Sequence, residues 1–298
     1  MNVRPIAGGV EVLAPAKLNL FLEILSRRPD GYHEIETLMV AIDLHDRLSF
    51  ADEPSGSITL RCDDATLPTG PENLVVRAAE RLRADANASG RSNRPLGATI
   101  ELRKSIPAEA GLAGGSSDAA ATLTALDHLW DLRTPAGRLD ELAGEIGSDV
   151  TFFRHAPAAL CRGRGERVQA LRMPGAYHFV LVCPPTGVRT ADVYANLTPP
   201  EEPRGLDPVL DAFHSGDPAR LGPLLFNRLQ PVAERIHPAL GRVRTALEDL
   251  GPSLDGHLLS GSGAAYFGLA RDGDAAQQAA RRLDSLGLVR VRVATSGP

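Results

Sequence analysis

Apolar and polar positions alternate between residues 17 and 25. Leu18, Leu20, Leu22 and Ile24 fall on one side of the alternation, and Lys17, Asn19, Phe21 and Glu23 on the other. Side chains of a strand point to its two faces in turn, so the pattern predicts strand over 10–25 with Lys17 and Asn19 on a shared face. Asp30-Gly31 is a turn signal, and 33–50 reads as further strand. From Asn73 to Arg83 the spacing becomes helical, with Leu74, Ala78 and Leu82 on one stripe. A strand is predicted over 98–103, a Gly- and Ala-rich loop over 105–115, and a helix over 116–132 that aligns Ala120, Leu123, Leu126 and Trp130. A helix at 136–146 and a strand at 158–170, broken by Gly163 and Gly165, follow.

The second half opens with the apolar run Phe179–Cys183, which reads as a buried strand ended by Pro184-Pro185. The stretch 198–208 is rich in proline and acid and reads as an exposed loop. Helices are predicted at 207–214, 218–222 and 230–250, two strands within 257–270 around Gly261-Ser262-Gly263, a helix at 274–286 and a strand at 289–294. There is no repeat and no low-complexity segment. Strands and helices mix without strict alternation, so the fold class is α+β. A chain of 298 residues suits two domains, expected at 1–157 and 158–298.

Charge narrows the partners. The chain has 32 basic and 37 acidic residues, a formal charge of −5, which argues against a general nucleic-acid binder. Its three cysteines, Cys62, Cys161 and Cys183, are widely spaced, and its eight histidines form no His-x-x-x-His pair. That predicts a reduced, cytoplasmic protein without a structural metal. No apolar run approaches the ~20 residues of a membrane span. Glu11 and Lys17 interrupt what would be the apolar centre of a signal peptide. A small-molecule partner is expected, with neither nucleic acid nor membrane. One count is sharper: of the 32 basic residues only Lys17 and Lys104 are lysine. A lysine kept against that bias points to a need for a compact ammonium on a flexible stem.

The block Ile106-Pro-Ala-Glu-Ala-Gly-Leu-Ala-Gly-Gly-Ser-Ser-Asp-Ala-Ala120 lies between a predicted strand and a long predicted helix. Gly111, Gly114 and Gly115 permit close backbone approach, and Ser116 or Ser117 is expected to cap the helix. Free N–H groups at a positive helix end favour phosphate. The block carries neither the Gly-Lys-Ser/Thr of a Walker loop nor a dinucleotide Gly-x-Gly-x-x-Gly. A lone Gly-rich turn would read as a connector; proline, glycines and paired serines in one block read as a phosphate loop.

That block, with Pro107, Gly111, Leu112, Ala113, Gly114, Gly115, Ser116 and Ser117, resembles the phosphate loop of the GHMP kinases. Ala14-Pro-Ala-Lys-Leu-Asn-Leu20, followed by Arg28-Pro-Asp-Gly-Tyr-His33, is similar to the opening of the diphosphocytidyl-methylerythritol kinases of that superfamily. Leu259-Ser-Gly-Ser-Gly-Ala264 is similar to the third GHMP motif. The three motifs come in the expected order and cover essentially the whole chain.

The resemblance implies a two-domain GHMP kinase fold, with an N-terminal ribosomal-protein-S5-like domain and a C-terminal ferredoxin-like α/β domain. It implies ATP and Mg²⁺, and phosphorylation of the 2-hydroxyl of 4-diphosphocytidyl-2-C-methyl-D-erythritol in the non-mevalonate route to isoprenoid precursors. In Gly147-Ser-Asp-Val-Thr-Phe-Phe153 it makes Asp149 the base, with Lys17 beside the reacting hydroxyl. Thr151 stands where the family usually has proline. Asn73 and Lys104 are candidates for the adenine side. Asn19, Tyr32, His33, Thr190, Tyr194, Gly261, Ser262 and Gly263 are candidates for the substrate, whose flat base calls for aromatic rings. The protein ligands of Mg²⁺ are left open. Two other readings stand at this point. Another GHMP kinase, homoserine- or mevalonate-type, would have no reason to carry Tyr32-His33. An inactive GHMP-fold binding protein would be expected to lose Lys17 or Asp149.

Overall fold

The alternation at 17–25 becomes part of one long strand, Gly9–Arg27, in the computed structural model, which describes residues 1–287 and 290–296. Leu18, Leu20, Leu22 and Ile24 are buried, but so are Lys17, Asn19 and Glu23 on the opposite face. A strand with a buried polar face must find a partner for each polar group, because an unpaired one costs about 1–3 kcal/mol. The partners of this face build the candidate site.

The chain forms two units, each assembled from separate stretches. The first takes Met1–Ala16, Leu44–Ile106 and Ala113–Ala156; the second takes Lys17–Asp43, Pro107–Leu112 and Pro157–Pro298. Leu288, Val289, Gly297 and Pro298 lie outside the described residues, so the strand expected over 289–294 is seen only from Val291, as Val291–Ser296.

In the first unit, Val3–Ile6 folds back on Gly9–Val12, and Ala98–Arg103 pairs antiparallel with residues 47–52 and parallel with Ile58–Cys62. Four helices accompany these strands: Leu74–Ala88, Gly114–Leu129, Ala136–Ile146 and Val150–His155. The second is rich in alanine and buries Ala119, Ala120, Ala121 and Ala125 as well as Leu123 and Leu126. Small residues around its girth let its neighbours approach closely. Trp130, just past its end, donates its indole N–H to Gly97 O at 3.0 Å and ties the helix to the sheet. Asn73 caps the first helix, its Oδ1 accepting from Val75 N at 2.9 Å.

In the second unit, residues 35–40 pair antiparallel with Ala158–Gly163, which forms a hairpin with Arg167–Leu171. Phe21 and Leu22 pair in parallel with Phe226 and Asn227. A separate antiparallel sheet runs Gly256–Leu259, Tyr266–Ala270, Tyr177–Val182, Val291–Ser296. Val180, Val182 and Tyr266 of this sheet pack with Leu240, Val243 and Leu247 of the Ala239–Glu248 helix and with Ala279 and Leu283 of the Gly273–Asp284 helix. Each valine and leucine among them, fully buried, contributes about 1.5–3 kcal/mol.

Two helix expectations are corrected. The stretch 230–250 is two helices, Gln230–Ile236 and Ala239–Glu248. Pro238 lacks an N–H and forces the residue before it out of helix, and His237 sits at φ −131°, ψ 77°. The helix expected over 116–132 begins at Gly114, not after a serine cap. Ala113 holds the cap position in the left-handed region at φ 56°, with no side-chain bond to the helix. Ser116 and Ser117 lie inside the first turn, too far along to cap it.

Glu23 shows how a buried charge on the polar face is satisfied. Its carboxylate accepts from Arg228 Nε at 2.8 Å and Nη2 at 2.7 Å, and from the backbone N–H groups of Arg204 and Ile24, both at 2.8 Å. Arg204 and Arg228 each lie 4.9 Å from the centroid of the Phe226 ring. Burial alone would raise this carboxyl; the hydrogen bonds from Arg228, Arg204 and Ile24 outweigh it and hold Glu23 below the usual glutamate range. A depressed carboxyl stabilises the fold above its unfolded pKa, and the contribution is lost as pH falls through the lower folded value. Glu23→Gln is therefore expected to lose about 2–3 kcal/mol at pH 7. Urea unfolding from pH 7 to pH 3 should show the wild-type and variant curves converging below about pH 4. A gap independent of pH would mean the charge of Glu23 contributes nothing.

Candidate active site

The second unit gathers the N-terminal and third motifs around one ammonium. Lys17 is only 3% exposed. Its Nζ donates to Asn19 Oδ1 at 2.5 Å and to Gly111 O at 2.6 Å, and its backbone N–H donates to Leu112 O at 3.1 Å. The i, i+2 relation on a strand places Lys17 and Asn19 side by side, as the alternation predicted. Asn19 Nδ2 donates in turn to Thr37 Oγ1 at 2.8 Å.

Two loops close on this lysine. Ser260 Oγ donates to Gly111 O at 2.9 Å, Ala264 N to Glu109 O at 3.2 Å, and Ala265 N to Ala110 O at 3.0 Å. Gly261 sits at φ 55°, where a Cβ would come 3.1 Å from Lys17 Nζ. Asn227, on the short strand beside Phe21, donates to Leu259 O and Gly261 O, both at 2.7 Å, and fixes that turn from behind. Thr190 Oγ1 and Ser262 Oγ are 2.8 Å apart.

The aromatic candidates divide into two pairs. The His33 and Tyr194 rings are in contact, with centroids 5.2 Å apart and a 38° tilt. That spacing fills the gap between them, so a base cannot be sandwiched there. Tyr32 is 53% exposed and has the Arg164 guanidinium 4.9 Å from its ring centroid. Burial, and then the charge of Arg27, lower the His33 pKa. Its ring is thus neutral at pH 7, with one donor and one acceptor nitrogen.

In the first unit the loop expected to bind phosphate runs into the helix that begins at Gly114. Gly114, Gly115 and Ser116 are its first three residues, whose N–H groups have no partner within the helix. Glycines at these places leave the backbone uncovered. Ser117 Oγ is buried with no hydrogen-bond partner among the described residues. Lys104 stands beneath this turn, between Asp46 and Asp118. Its Nζ donates to Asp46 Oδ2 and, at 2.8 Å, to Asp118 Oδ2. Asp46 Oδ1 also accepts from Ser105 N at 2.6 Å and Ile106 N at 2.9 Å, which staples the stem of the loop. Burial works against the ammonium, but the two carboxylates outweigh it and raise the Lys104 pKa. One cation cannot neutralise two buried anions, and burial pushes Asp118 up to about 7, against the pull of Lys104 and with that of Asp46.

Asn73 spends its whole amide locally, Oδ1 on the helix cap and Nδ2 on Pro68 O at 2.7 Å. Asp149 holds the position before Val150–His155 but has helical dihedrals, φ −87°, ψ −6°, and its carboxylate makes no cap. Thr151 Oγ1 is buried without a hydrogen-bond partner among the described residues. Replacing it with the isosteric Thr151→Val is expected to raise stability by about 1 kcal/mol, ~2–4 °C in melting temperature. A fall in melting temperature would reveal a bond for this hydroxyl.

Thr37, Asn227, Ser260, Asp46 and Asp118 were not legible as site residues. Thr37, Asn227 and Asp46 meet their partners across the fold and lie in no local pattern that marks a ligand, while Ser260 and Asp118 fall inside the third motif and the phosphate-loop block with nothing local to single them out.

A strand-borne lysine under a glycine turn and a helix opened by glycines define the class of GHMP kinases. Family models match accordingly: GHMP kinases N terminal domain over residues 73–157 and GHMP kinases C terminal over 209–287. The fold is the α+β GHMP kinase fold, with S5-like and ferredoxin-like parts. A 4-diphosphocytidyl-2-C-methyl-D-erythritol kinase of Pelotomaculum thermopropionicum is 45% identical over 276 residues, 92% of this chain and 93% of its own. One of the same name from Bacillus cereus is 39% identical over 263 residues, 87% of each chain. A crystal structure of 4-(cytidine 5'-diphospho)-2C-methyl-D-erythritol kinase matches with a TM-score of 0.78 at 39% identity, covering 97% of this chain and 99% of that one. The chain belongs to the 4-diphosphocytidyl-2-C-methyl-D-erythritol kinase family of GHMP kinases.

Proposed function

We propose that this chain transfers the γ-phosphoryl group of ATP to the 2-hydroxyl of 4-diphosphocytidyl-2-C-methyl-D-erythritol, in the cytoplasm, on the route to isoprenoid precursors. The observation that carries the reading is the buried Lys17 ammonium, held by Asn19 and Gly111 O under the Gly261 turn. A desolvated compact cation stabilises negative charge developing on the hydroxyl oxygen and the transferred group.

In the reaction the 2-hydroxyl oxygen bonds to the γ-phosphorus as the bond to the β,γ-bridging oxygen breaks, and ADP leaves. Asp149 takes the hydroxyl proton; it is a carboxylate with no capping duty. Its role is to orient the hydroxyl as well as to accept its proton. Phosphoryl transfer is mostly positioning and charge neutralisation. Pro107, Gly111, Leu112 and Ala113 lead the loop to the ATP phosphates, and the N–H groups of Gly114, Gly115 and Ser116 receive them. The unpartnered Ser117 hydroxyl offers oxygen to Mg²⁺ or phosphate. Mg²⁺ would be held through the ATP phosphates and a loop serine, with several waters kept. It supplies charge neutralisation on the phosphates. Lys104 acts on ATP through the loop that it and Asp46 hold. Asn73 frames the adenine side.

On the substrate side Tyr32 offers an exposed ring face to cytosine, and neutral His33, steadied by Tyr194, reads the base edge. Thr190, Ser262 and the Gly261–Gly263 turn face the diphosphate and sugar. Phosphorus NMR of a mixture with ATP, Mg²⁺ and the cytidyl substrate should show a new phosphomonoester; free phosphate alone sinks the reading. Tyr32→Ala should weaken binding of the cytidyl substrate by ~1–3 kcal/mol, about 5–150-fold, with ATP binding unchanged. Equal loss for both ligands would remove Tyr32 from the base site.

A further inference from the structure

Asparagine presents an oxygen on one side of its amide and an NH₂ on the other, and only the oxygen can face an ammonium. The same strand face shows what sets that choice. Phe21 O is a carbonyl and can only accept. Thr37 Oγ1 lies 2.6 Å from it, so the single hydroxyl proton of Thr37 is committed there. The Thr37 oxygen is left as an acceptor toward Asn19, at 2.8 Å, and the Asn19 NH₂ must turn to it. The Asn19 oxygen then faces Lys17, which can only donate, at 2.5 Å. Each of the three hydrogen bonds that link Lys17, Asn19, Thr37 and Phe21 O has one possible direction. All three side chains are buried, so water does not compete for them.

We infer that Thr37 is a positioning residue for phosphoryl transfer: its hydroxyl fixes the Asn19 amide with oxygen toward Lys17 and thereby places the catalytic ammonium. The inference rests on the reading of Lys17 as the catalytic cation. Thr37 bonds Asn19 and Phe21 O and acts on the ammonium through the Asn19 amide. Without its acceptor oxygen the amide is free to turn, and an NH₂ set against the ammonium repels it. Gly111 O would then hold Nζ without its strand-side partner.

Thr37→Val keeps the shape and removes the hydroxyl. It is expected to lower kcat by ~10–100-fold, the scale of a misplacement of about 1 Å, with KM for ATP and for the cytidyl substrate within ~2-fold of wild type. Thr37→Ser, which restores the acceptor, should return kcat to within about 3-fold. A purely structural role would instead lower melting temperature and disturb both KM values, and serine would not repair it selectively. A second measurement needs no variant: in wild-type protein labelled with ¹⁵N-asparagine, the Asn19 NH₂ protons should exchange slowly with solvent. Free exchange overturns the inference, as does a Thr37→Val enzyme with wild-type kcat. If Thr37→Val is wild-type while Lys17→Arg is inactive, the kinase reading stands and the positioning role falls. A wild-type protein that forms no phosphomonoester overturns both.

Discussion

Lys17→Arg is expected to reduce turnover by about 10²–10³-fold while leaving KM for ATP within a few fold and the fold intact. The substitution is conservative in charge, and 30 of the chain's 32 basic residues are already arginine. The site nevertheless has no place for a guanidinium. Nζ has acceptors at 2.5 and 2.6 Å, and even a methyl added at Gly261 would come within 3.1 Å of it. A planar fork of five donors cannot replace a compact ammonium in that space without displacing the Gly261 turn or swinging away from Gly111 O. Single-turnover rates with saturating ATP measure the step directly. If Lys17 and Asp149 act on one hydroxyl, Asp149→Asn should be similarly slow and the double variant hardly worse than the poorer single one. Near-normal turnover of Lys17→Arg would end the compact-cation mechanism.

Gly111→Ala is expected to cost more broadly, in stability as well as rate. Gly111 sits at φ 71°, a region where a side chain adds about 1–2 kcal/mol of strain. Space is the harder limit, because a Cβ here would stand 1.9 Å from Ser260 O and 3.0 Å from Gly263 N. Both contacts are backbone, and neither loop can retreat cheaply. Ser260 Oγ and Lys17 Nζ both bond Gly111 O, and Ala264 and Ala265 bond the two residues before it. Separating the loops would break two or three of these bonds at about 1 kcal/mol each. The expected loss is roughly 3–5 kcal/mol of stability, and more than 100-fold in kcat from the shift of Lys17's acceptor. Thermal unfolding and turnover together test it; a variant that keeps both would show that the two loops are not in contact.

Local rules reached most of the elements and the pairing of Lys17 with Asn19. The alternation over 17–24 placed Lys17 and Asn19 on one face because strand geometry is set residue by residue. Asn73 read as a helix start because a cap is a property of three consecutive residues. The serine cap at 116–117 failed for an instructive reason. Cap preference describes helices whose ends must be satisfied internally, and this helix opens on Gly114 and Gly115 with its N–H groups uncovered. His237-Pro238 was a local signal that the helical spacing of 230–250 overrode. Thr37, Asn227 and Asp46 lay beyond local rules altogether, since their partners are 18, 32 and 34, and 58 to 60 residues away. A buried polar residue in a strand was the only trace they left in the sequence.

The interleaving of the two units bears on how the chain is made. Residues 35–40 find their strand partners at Ala158–Gly163, so the ribosome must add more than a hundred residues before this pairing can form. At ~5–20 residues per second that is a wait on the order of ten seconds. Throughout it, Leu38-Met-Val-Ala-Ile42, five consecutive residues that end up buried, have a strand partner on one side only, in the Gly9–Arg27 strand made before them, and their other edge stands open. A short apolar segment without charge or proline is the kind that pairs with its own copies on neighbouring chains. The arrangement that brings the first strands to the lysine site thus makes the emerging N-terminal third a client for chaperones during synthesis.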